Sequence, residues 1–320
     1  MNKKIFCTLG PASLNKKFLN FSNKKIDLLR INMSHVNINQ LEKIIYKIRK
    51  YSIVPICIDT EGAQIRTKVS KAKRFKKGDY FMISKTKGDI KLYPEVIFDK
   101  LKNSDILSFG FEGLKGRILN KNTNKIKIKC TNSGYLETNK GVHVDNRKLK
   151  IDFLTKKDLL AIEIGKKNKI INYALSFTNS AEDIIRFKKI LPSQNKFFKV
   201  ETREALKNFK MMIKKGNFFL LDRGDMSKDL NIEEIPTAQR FLFRNKGKNT
   251  KIAIATNFLE SMIEKPFPTR AEANDIYSSL EMGADALVLA AETAIGKYPK
   301  ECVEFLLRII SHFKKQKNIK

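Results

Sequence analysis

The fold is decided by residues 251–290, which read KIAIATNFLESMIEKPFPTRAEANDIYSSLEMGADALVLA. Two segments of strand length, 251–256 and 285–290, are apolar on both faces, which is typical of strands buried inside a parallel sheet. A helical pattern at 271–282 lies between them. A strand, a helix and a second strand in this order form the repeating unit of α/β folds.

The same unit recurs outward along the chain. Further apolar runs of strand length occur at 4–10, 26–32, 53–59, 170–177, 196–201 and 217–222. Further helical patterns occur at 40–50, 181–190, 202–215 and 299–313. Eight strands that alternate with helices predict an α/β protein whose parallel strands close into a (β/α)₈ TIM barrel.

Residues 68–140 interrupt this rhythm. Their pattern changes to an alternation of apolar and polar residues with turn residues between the runs, as in GRILNKNTNKIKIKC. This alternation predicts a small antiparallel β domain inserted after the third barrel strand. The remaining residues have the length of about 250 that is typical of a barrel. We therefore assign residues 1–67 and 141–320 to the barrel and residues 68–140 to an inserted β lid domain.

The composition argues against a dedicated nucleic-acid protein. The chain carries 51 Lys and 13 Arg against 33 acidic residues, for a formal net charge of +31. Lys recurs along most of the chain, whereas a binding surface would cluster its charge and favour Arg. We therefore expect a solvated basic surface and no specific nucleic-acid partner.

The four cysteines form no CxxC pair, no signal segment is recognisable, and no apolar run is long enough for a bilayer. These features predict a cytoplasmic protein without a membrane partner.

Polar side chains follow the predicted strands at their carboxyl ends, the face that carries the active site of a barrel. Two carboxylates supply hard oxygen ligands for Mg²⁺ or Mn²⁺: Glu201 and Asp225. Three cations would bind a phosphoryl group and an oxyanion: Arg30, Arg66 and Lys199. Four neighbouring oxygen donors suit a monovalent cation such as K⁺: Asn32, Ser34, Asp59 and Thr60. Each residue alone has a plainer role as a cap or an ion-pair partner, but together they are typical of phosphoryl transfer.

The sequence resembles the pyruvate kinase family in motifs that occur in family order. They are CTLGPAS (7–13), LRINMSH (29–35), IDTEGAQIRT (58–67), NKGVHV (139–144), KVET (199–202), DRGD (222–225), ATNFLESM (255–262), KPFPTRAEAND (265–275) and GADALVLAAETAIGKYP (283–299). The resemblance implies the same barrel with its inserted β domain. It also implies the glycolytic reaction in which Mg²⁺ assists phosphoryl transfer from phosphoenolpyruvate to ADP, giving pyruvate and ATP.

The resemblance further implies a role for each matching residue. Glu201 and Asp225 resemble the ligands of the divalent metal, Lys199 the residue that neutralises the phosphoryl group and the enolate, and Arg30 the phosphate-binding arginine. Thr256 resembles a catalytic residue that binds the substrate carboxylate together with the amides of Gly224 and Asp225. Positions near the nucleotide are matched by Pro11, Asn32, Arg66 and Lys140. The potassium site is matched by Asn32, Ser34, Asp59 and Thr60.

The sequence also departs from the family pattern. The Glu associated with potassium dependence is replaced by Gln64, and Asp222 stands where the family usually has Ala before Arg-Gly-Asp. We expect the family's C-terminal regulatory domain to be absent and do not expect its usual tetramer, although an oligomer stays open. Two alternatives therefore stand beside the kinase. One is an enzyme of this fold that acts on another enol phosphate or acceptor, and the other is a barrel retained as a non-catalytic module.

Overall fold

The computed structural model describes residues 3–62, 64–110, 113–147, 149 and 151–317. Its strands, in chain order, are β1 (Lys4–Thr8), β2 (Leu28–Asn32), β3 (Ile56–Asp59), β4 (Ile65–Val69), β5 (Lys73–Phe75), β6 (Tyr80–Ser84), β7 (Ile90–Tyr93), β8 (Ile106–Phe109), β9 (Leu114–Lys121), β10 (Lys125–Cys130), β11 (Gly134–Leu136), β12 (Gly141–Val144), β13 (Asn172–Leu175), β14 (Asn195–Val200), β15 (Phe218–Asp222), β16 (Lys251–Ala255) and β17 (Ala286–Leu289).

The α-helices, in chain order, are α1 (Lys16–Ser22), α2 (Leu41–Tyr51), α3 (Val96–Lys100), α4 (Lys156–Lys167), α5 (Ala181–Ile190), α6 (Arg203–Met212), α7 (Arg223–Met226), α8 (Ile235–Arg244), α9 (Arg270–Glu281), α10 (Ala291–Ala294) and α11 (Pro299–Lys317). Short 3₁₀ turns lie at Ile38–Gln40, Ile232–Glu234 and Glu260–Ile263. None of the helices in the described ranges combines the length and the apolar character needed to cross a bilayer.

Two compact units divide the chain, namely a barrel unit of Met1–Gly62 with Lys156–Lys320 and a second unit of Ala63–Thr155. In the barrel unit, eight strands pair in the order β1-β17-β16-β15-β14-β13-β3-β2. All of these pairs are parallel, and β1 closes the ring by pairing with both β17 and β2. Each of the eight strands predicted from the sequence forms one of them, so the predicted TIM barrel is confirmed.

The barrel helices begin and pack as their sequences dictate. The side chain of Thr202 caps α6 by accepting a hydrogen bond from the Ala205 amide, and Ser180 and Asp183 form a reciprocal capping box at α5. Such caps satisfy amides that have no partner inside the helix. On α2, Ile45 and Ile48 lie on one face and are fully buried, as an amphipathic helix packed on a sheet requires.

The inside of the barrel is filled in layers. An apolar layer includes residues from all eight strands, among them Leu28, Cys57, Phe197 and Leu220. Because side chains of a strand alternate between its two faces, the next inward position lies two residues further along each strand. On four strands that position is charged: Arg30, Asp59, Lys199 and Asp222. All four side chains are buried, so the apolar layer forms the floor beneath a buried charged layer.

The second unit is built on an antiparallel sheet of seven strands in the order β6-β10-β9-β8-β12-β4-β7, with a two-stranded sheet of β11 and β5. Its strands alternate as expected; in β10 every second residue is buried. This sheet confirms the predicted antiparallel insertion. The unit starts at 63 and ends at 155, wider than the 68–140 that we assigned from sequence. The reason is that β4 and β12, which flank the alternating segment, pair with each other inside this sheet.

Candidate active site at the carboxyl end of the barrel

Lys199 lies at the centre of the buried charged layer. Its ammonium nitrogen is 2.8 Å from Glu201 Oε1, 3.3 Å from Asp222 Oδ2 and 3.6 Å from Asp59 Oδ2. Burial disfavours the charged ammonium, but the carboxylates of Asp59, Glu201 and Asp222 raise the pKa of Lys199 well above its usual value. Lys199 therefore stays charged inside the barrel, where an ammonium acts more strongly on an anion than it does in water.

Arg30 supplies the second buried cation. It lies on β2, is 3% exposed, and forms an ion pair with Asp59, which is fully buried. Burial opposes its charge, but Asp59 and Asp222 raise the pKa of Arg30. Among the described residues, the Nε and Nη1 atoms of this guanidinium have no hydrogen-bond partner although they are buried. Buried donors are normally satisfied, so these two are available to an anion such as a phosphoryl group.

Three carboxylates form an acidic cluster, which we define as Glu201, Asp222 and Asp225. One ligand oxygen of each lies within 4.8 Å of the others. Burial raises the pKa of Glu201 above its usual range. Burial also acts on Asp225, but Lys228 and Lys199 outweigh it and hold the pKa of Asp225 low. Carboxylate oxygens at this spacing are the donors that a hard divalent cation prefers.

Thr256 follows β16 in a strained conformation. Its φ of 71° lies in the left-handed region, which is rare for a β-branched residue and often marks a functional site. Its hydroxyl accepts a hydrogen bond from the Gly224 amide at 2.7 Å, donates to the Ala255 carbonyl at 2.5 Å and lies 3.3 Å from Asp222 Oδ1. Arg223 holds the turn by donating from Nη2 to the Thr256 carbonyl at 2.6 Å and from Nη1 to both carboxylate oxygens of Asp275.

The residues predicted to bind K⁺ lie at the ends of two adjacent strands. Asn32 of β2 is paired in register with Asp59 of β3, and its side-chain oxygen accepts from the Ser34 amide at 3.0 Å. The Thr60 hydroxyl accepts from the Ser176 amide. The carboxylate of Asp59, in contrast, contacts the cations Arg30 and Lys199. The structure thus places these residues at the ends of two paired strands, and the Asp59 carboxylate contacts side-chain cations there.

The predicted nucleotide contacts are divided between the two units. Pro11 is exposed in the loop after β1 of the barrel unit. Arg66 and Lys140 belong to the second unit. There, Arg66 is 8% exposed and donates to the Asn139 carbonyl at 3.3 Å, and Lys140 forms an ion pair with Glu137 at 3.0 Å.

Three residues of the site were absent from the set predicted from sequence. Asp222 ends β15 and joins the acidic cluster, Ser176 follows β13 and accepts a hydrogen bond from Lys199 at 3.2 Å, and Lys228 forms an ion pair with Asp225. The spacing of two residues after the buried Leu220 was a signal for Asp222. The signal for Lys228 was its spacing of three residues from Asp225, which brings the two side chains together across the end of the short helix α7. Ser176 offered no signal beyond its place at a strand end.

The fold and the site together define a class, namely a (β/α)₈-barrel enzyme for the transfer of a charged group. Its buried cations and its carboxylate cluster, which suits a divalent cation, would stabilise the charge of that group. Comparisons with known proteins then identify the family. Residues 1–303 match the model of the family described as pyruvate kinase, barrel domain. The chain is 31% identical to the pyruvate kinase of Thermotoga maritima, over 98% of this chain and 71% of that protein.

A second similar relative is the pyruvate kinase of Methanocaldococcus jannaschii, which is 32% identical over 96% of this chain and 68% of that protein. The pyruvate kinase of Chlamydia muridarum is 29% identical over 98% of this chain and 69% of that protein. The chain belongs to the pyruvate kinase family, and it is a pyruvate kinase-like phosphotransferase.

Proposed function

We propose that this chain transfers the phosphoryl group of phosphoenolpyruvate to ADP, giving pyruvate and ATP, with Mg²⁺ as its divalent cation. The observation that carries the proposal is the buried position of Lys199, 2.8 Å from Glu201 and 3.3 Å from Asp222. Phosphoryl transfer requires little covalent chemistry from the protein, and its catalysis consists of positioning and charge stabilisation. A buried ammonium between two carboxylates of the acidic cluster meets that requirement.

The acidic cluster fits the divalent cation, because three hard oxygen donors lie within 4.8 Å of one another. The residues that would hold it are Glu201 and Asp225. When bound there, a divalent cation supplies positive charge that offsets the charge of the phosphoryl and enolate oxygens. Lys199 would act on the same oxygens as a fixed cation. Arg30 would donate from its unpartnered Nε and Nη1 atoms to the phosphoryl oxygens.

The substrate carboxylate would lie against Thr256 and the amides of Gly224 and Asp225. These groups contact one another or Asp222 in the structure: the Gly224 amide donates to Thr256, and the Asp225 amide is 3.4 Å from Asp222 Oδ1. A substrate carboxylate that binds here would therefore replace these internal hydrogen bonds. The long distance to Asp222 indicates a weak hydrogen bond that costs little to exchange.

The remaining roles of the site are proposed on the family resemblance. Contacts to the nucleotide are assigned to Pro11, Asn32, Arg66 and Lys140. A K⁺ site is assigned to Asn32, Ser34, Asp59 and Thr60. The pairing of Asn32 with Asp59 in the barrel register supports a shared site for the latter group. We also propose that the enzyme acts in the cytoplasm.

Substitution of Lys199 tests the proposed reaction. Pyruvate formation would be followed in a coupled assay with phosphoenolpyruvate, ADP and Mg²⁺. We expect Lys199→Met to lower the rate by about 10²-fold or more, since removing one oxyanion-stabilising group typically costs about 3–4 kcal/mol. Lys196→Met is the matched control, because Lys196 lies on the same strand three residues earlier and donates to the Gln194 carbonyl. Wild-type activity that is independent of ADP or no greater than that of Lys199→Met would contradict the proposal.

A further inference from the structure

Asp222 occupies an inward position that brings a third carboxylate to the proposed metal ligands. It lies two residues after the buried Leu220 on β15 and is 5% exposed. Its ligand oxygen falls within 4.8 Å of those of Glu201 and Asp225.

The present partners of Asp222 leave it free to bind a cation. Its Oδ1 atom accepts from the Asp225 amide at 3.4 Å and lies 3.3 Å from the Thr256 hydroxyl, which has a closer acceptor in the Ala255 carbonyl at 2.5 Å. Both distances to Oδ1 exceed the usual 2.7–3.2 Å of protein hydrogen bonds, so these contacts are weak. Its Oδ2 atom is 3.3 Å from Lys199, whose closer partner is Glu201 at 2.8 Å.

The buried charges around Asp222 do not balance. Arg30 is paired with Asp59, and Lys228 is paired with Asp225. Lys199 is then shared between Glu201 and Asp222, and it also lies 3.6 Å from Asp59. These seven side chains comprise four carboxylates and three cations. An excess buried carboxylate is costly, and either a proton or a divalent cation at the acidic cluster would offset its charge.

We propose that Asp222 is a third carboxylate ligand of the divalent cation, beside Glu201 and Asp225. The inference rests on the proposed function, because it places the cation at the same two carboxylates. Three protein carboxylates supply enough hard oxygen donors to retain a divalent ion without a substrate oxygen.

Mn²⁺ titration of the full chain without substrate, followed by the loss of the free-ion signal in electron paramagnetic resonance, tests the inference. We expect wild type to bind one ion in the acidic cluster and Asp222→Ala and Asp222→Asn each to weaken its affinity by about tenfold or more, since even the outer partners of metal sites contribute 10- to 100-fold. Asp229→Ala is the matched control: it removes the same charge from an exposed position on the same segment, and its affinity should equal that of wild type.

The variants separate binding from structure. Asn keeps the shape and the acceptor oxygen that Thr256 contacts, so unchanged affinity in Asp222→Asn would show a purely structural role and overturn the inference. Wild type that binds no Mn²⁺ in the absence of substrate would overturn it as well.

Glu201→Gln should abolish binding if the proposed metal site is correct. If Glu201→Gln loses the ion while both Asp222 variants retain wild-type affinity, the third ligand is refuted and the proposed function stands. Weakened binding in both Asp222 variants without any pyruvate formation by wild type would support the inference and refute the proposed reaction.

Discussion

Replacement of Asp59 by Ala should destabilise the barrel more than the loss of a surface ion pair does. Asp59 is fully buried, and the guanidinium of Arg30, 3% exposed, donates to it. Without Asp59, Arg30 remains inside the barrel with no paired carboxylate, whereas Lys199 keeps Glu201 and Asp222. Removing one partner of a buried pair typically costs about 3–5 kcal/mol. We expect Asp59→Ala to lower the free energy of unfolding by that amount.

The matched control is the ion pair of Lys25 with Glu304. Its atoms are 2.9 Å apart, but its side chains are 36% and 43% exposed. Exposed pairs contribute about 0–1 kcal/mol, so Glu304→Ala should cost no more than that. A second test replaces both buried partners, as Arg30→Met with Asp59→Leu. Because apolar replacement of a whole buried pair is often neutral, this double variant should recover most of the stability lost in Asp59→Ala.

Urea unfolding followed by circular dichroism at a helical wavelength is the appropriate assay, because every α-helix of the described chain except α3 belongs to the barrel unit. A shift of the midpoint with an unchanged slope reports a change in stability alone. The reasoning would be refuted if Asp59→Ala lost no more stability than Glu304→Ala. It would also be refuted if the double variant were as unstable as the single one.

Two further predictions concern positions of the barrel unit outside its charged layer. Gly10→Ala should lower the free energy of unfolding by about 1–3 kcal/mol, because its Cβ would lie 2.5 Å from the Ala294 carbonyl oxygen, which is backbone; an unchanged urea midpoint would contradict it. Glu272→Ala should cost about 0.5–2 kcal/mol at pH 7, since Glu272 accepts from Ser261 and completes the capping box of α9 with Thr269. Burial opposes its ionisation, but these hydrogen bonds hold the pKa of Glu272 below its usual value. Their contribution is therefore complete above the unfolded pKa of about 4.3 and is lost as the pH falls through the lower folded value. The gap between wild type and Glu272→Ala should narrow in urea unfolding at pH 3, and a gap of constant size would refute the explanation.

The sequence predicted the barrel well because its signal is local. Strands that are buried on both faces read as continuous apolar runs, and 285–290 is recognisable without knowledge of any other segment. The boundary of the second unit was less accurate for the opposite reason. The pairing of β4 with β12 joins residues separated by about 75 positions, and no local pattern records it.

The site was predictable in its parts and less so in its contacts. Lys199 lies on β14 and Glu201 directly follows that strand, two residues further along, so alternation predicts both on the inner face. The contacts of Asp59, in contrast, do not follow from spacing along one strand. The sequence assigned this carboxylate to a K⁺ site, and the structure pairs it with Arg30 and Lys199. That pairing depends on the register between β2 and β3 and on β14 two strands away in the ring.

The amino-acid sequence by itself determined which residues form strands and helices, which faces are apolar, and which residue types stand at the strand ends. Only the tertiary structure decided that Asp222 joins Glu201 and Asp225 and that one ammonium, Lys199, serves three carboxylates. The physical reason is the sequence separation of the interacting groups. Secondary structure follows from the backbone and from neighbours a few residues away, whereas a buried charge is stabilised only by groups that the closed barrel brings to within a few ångströms.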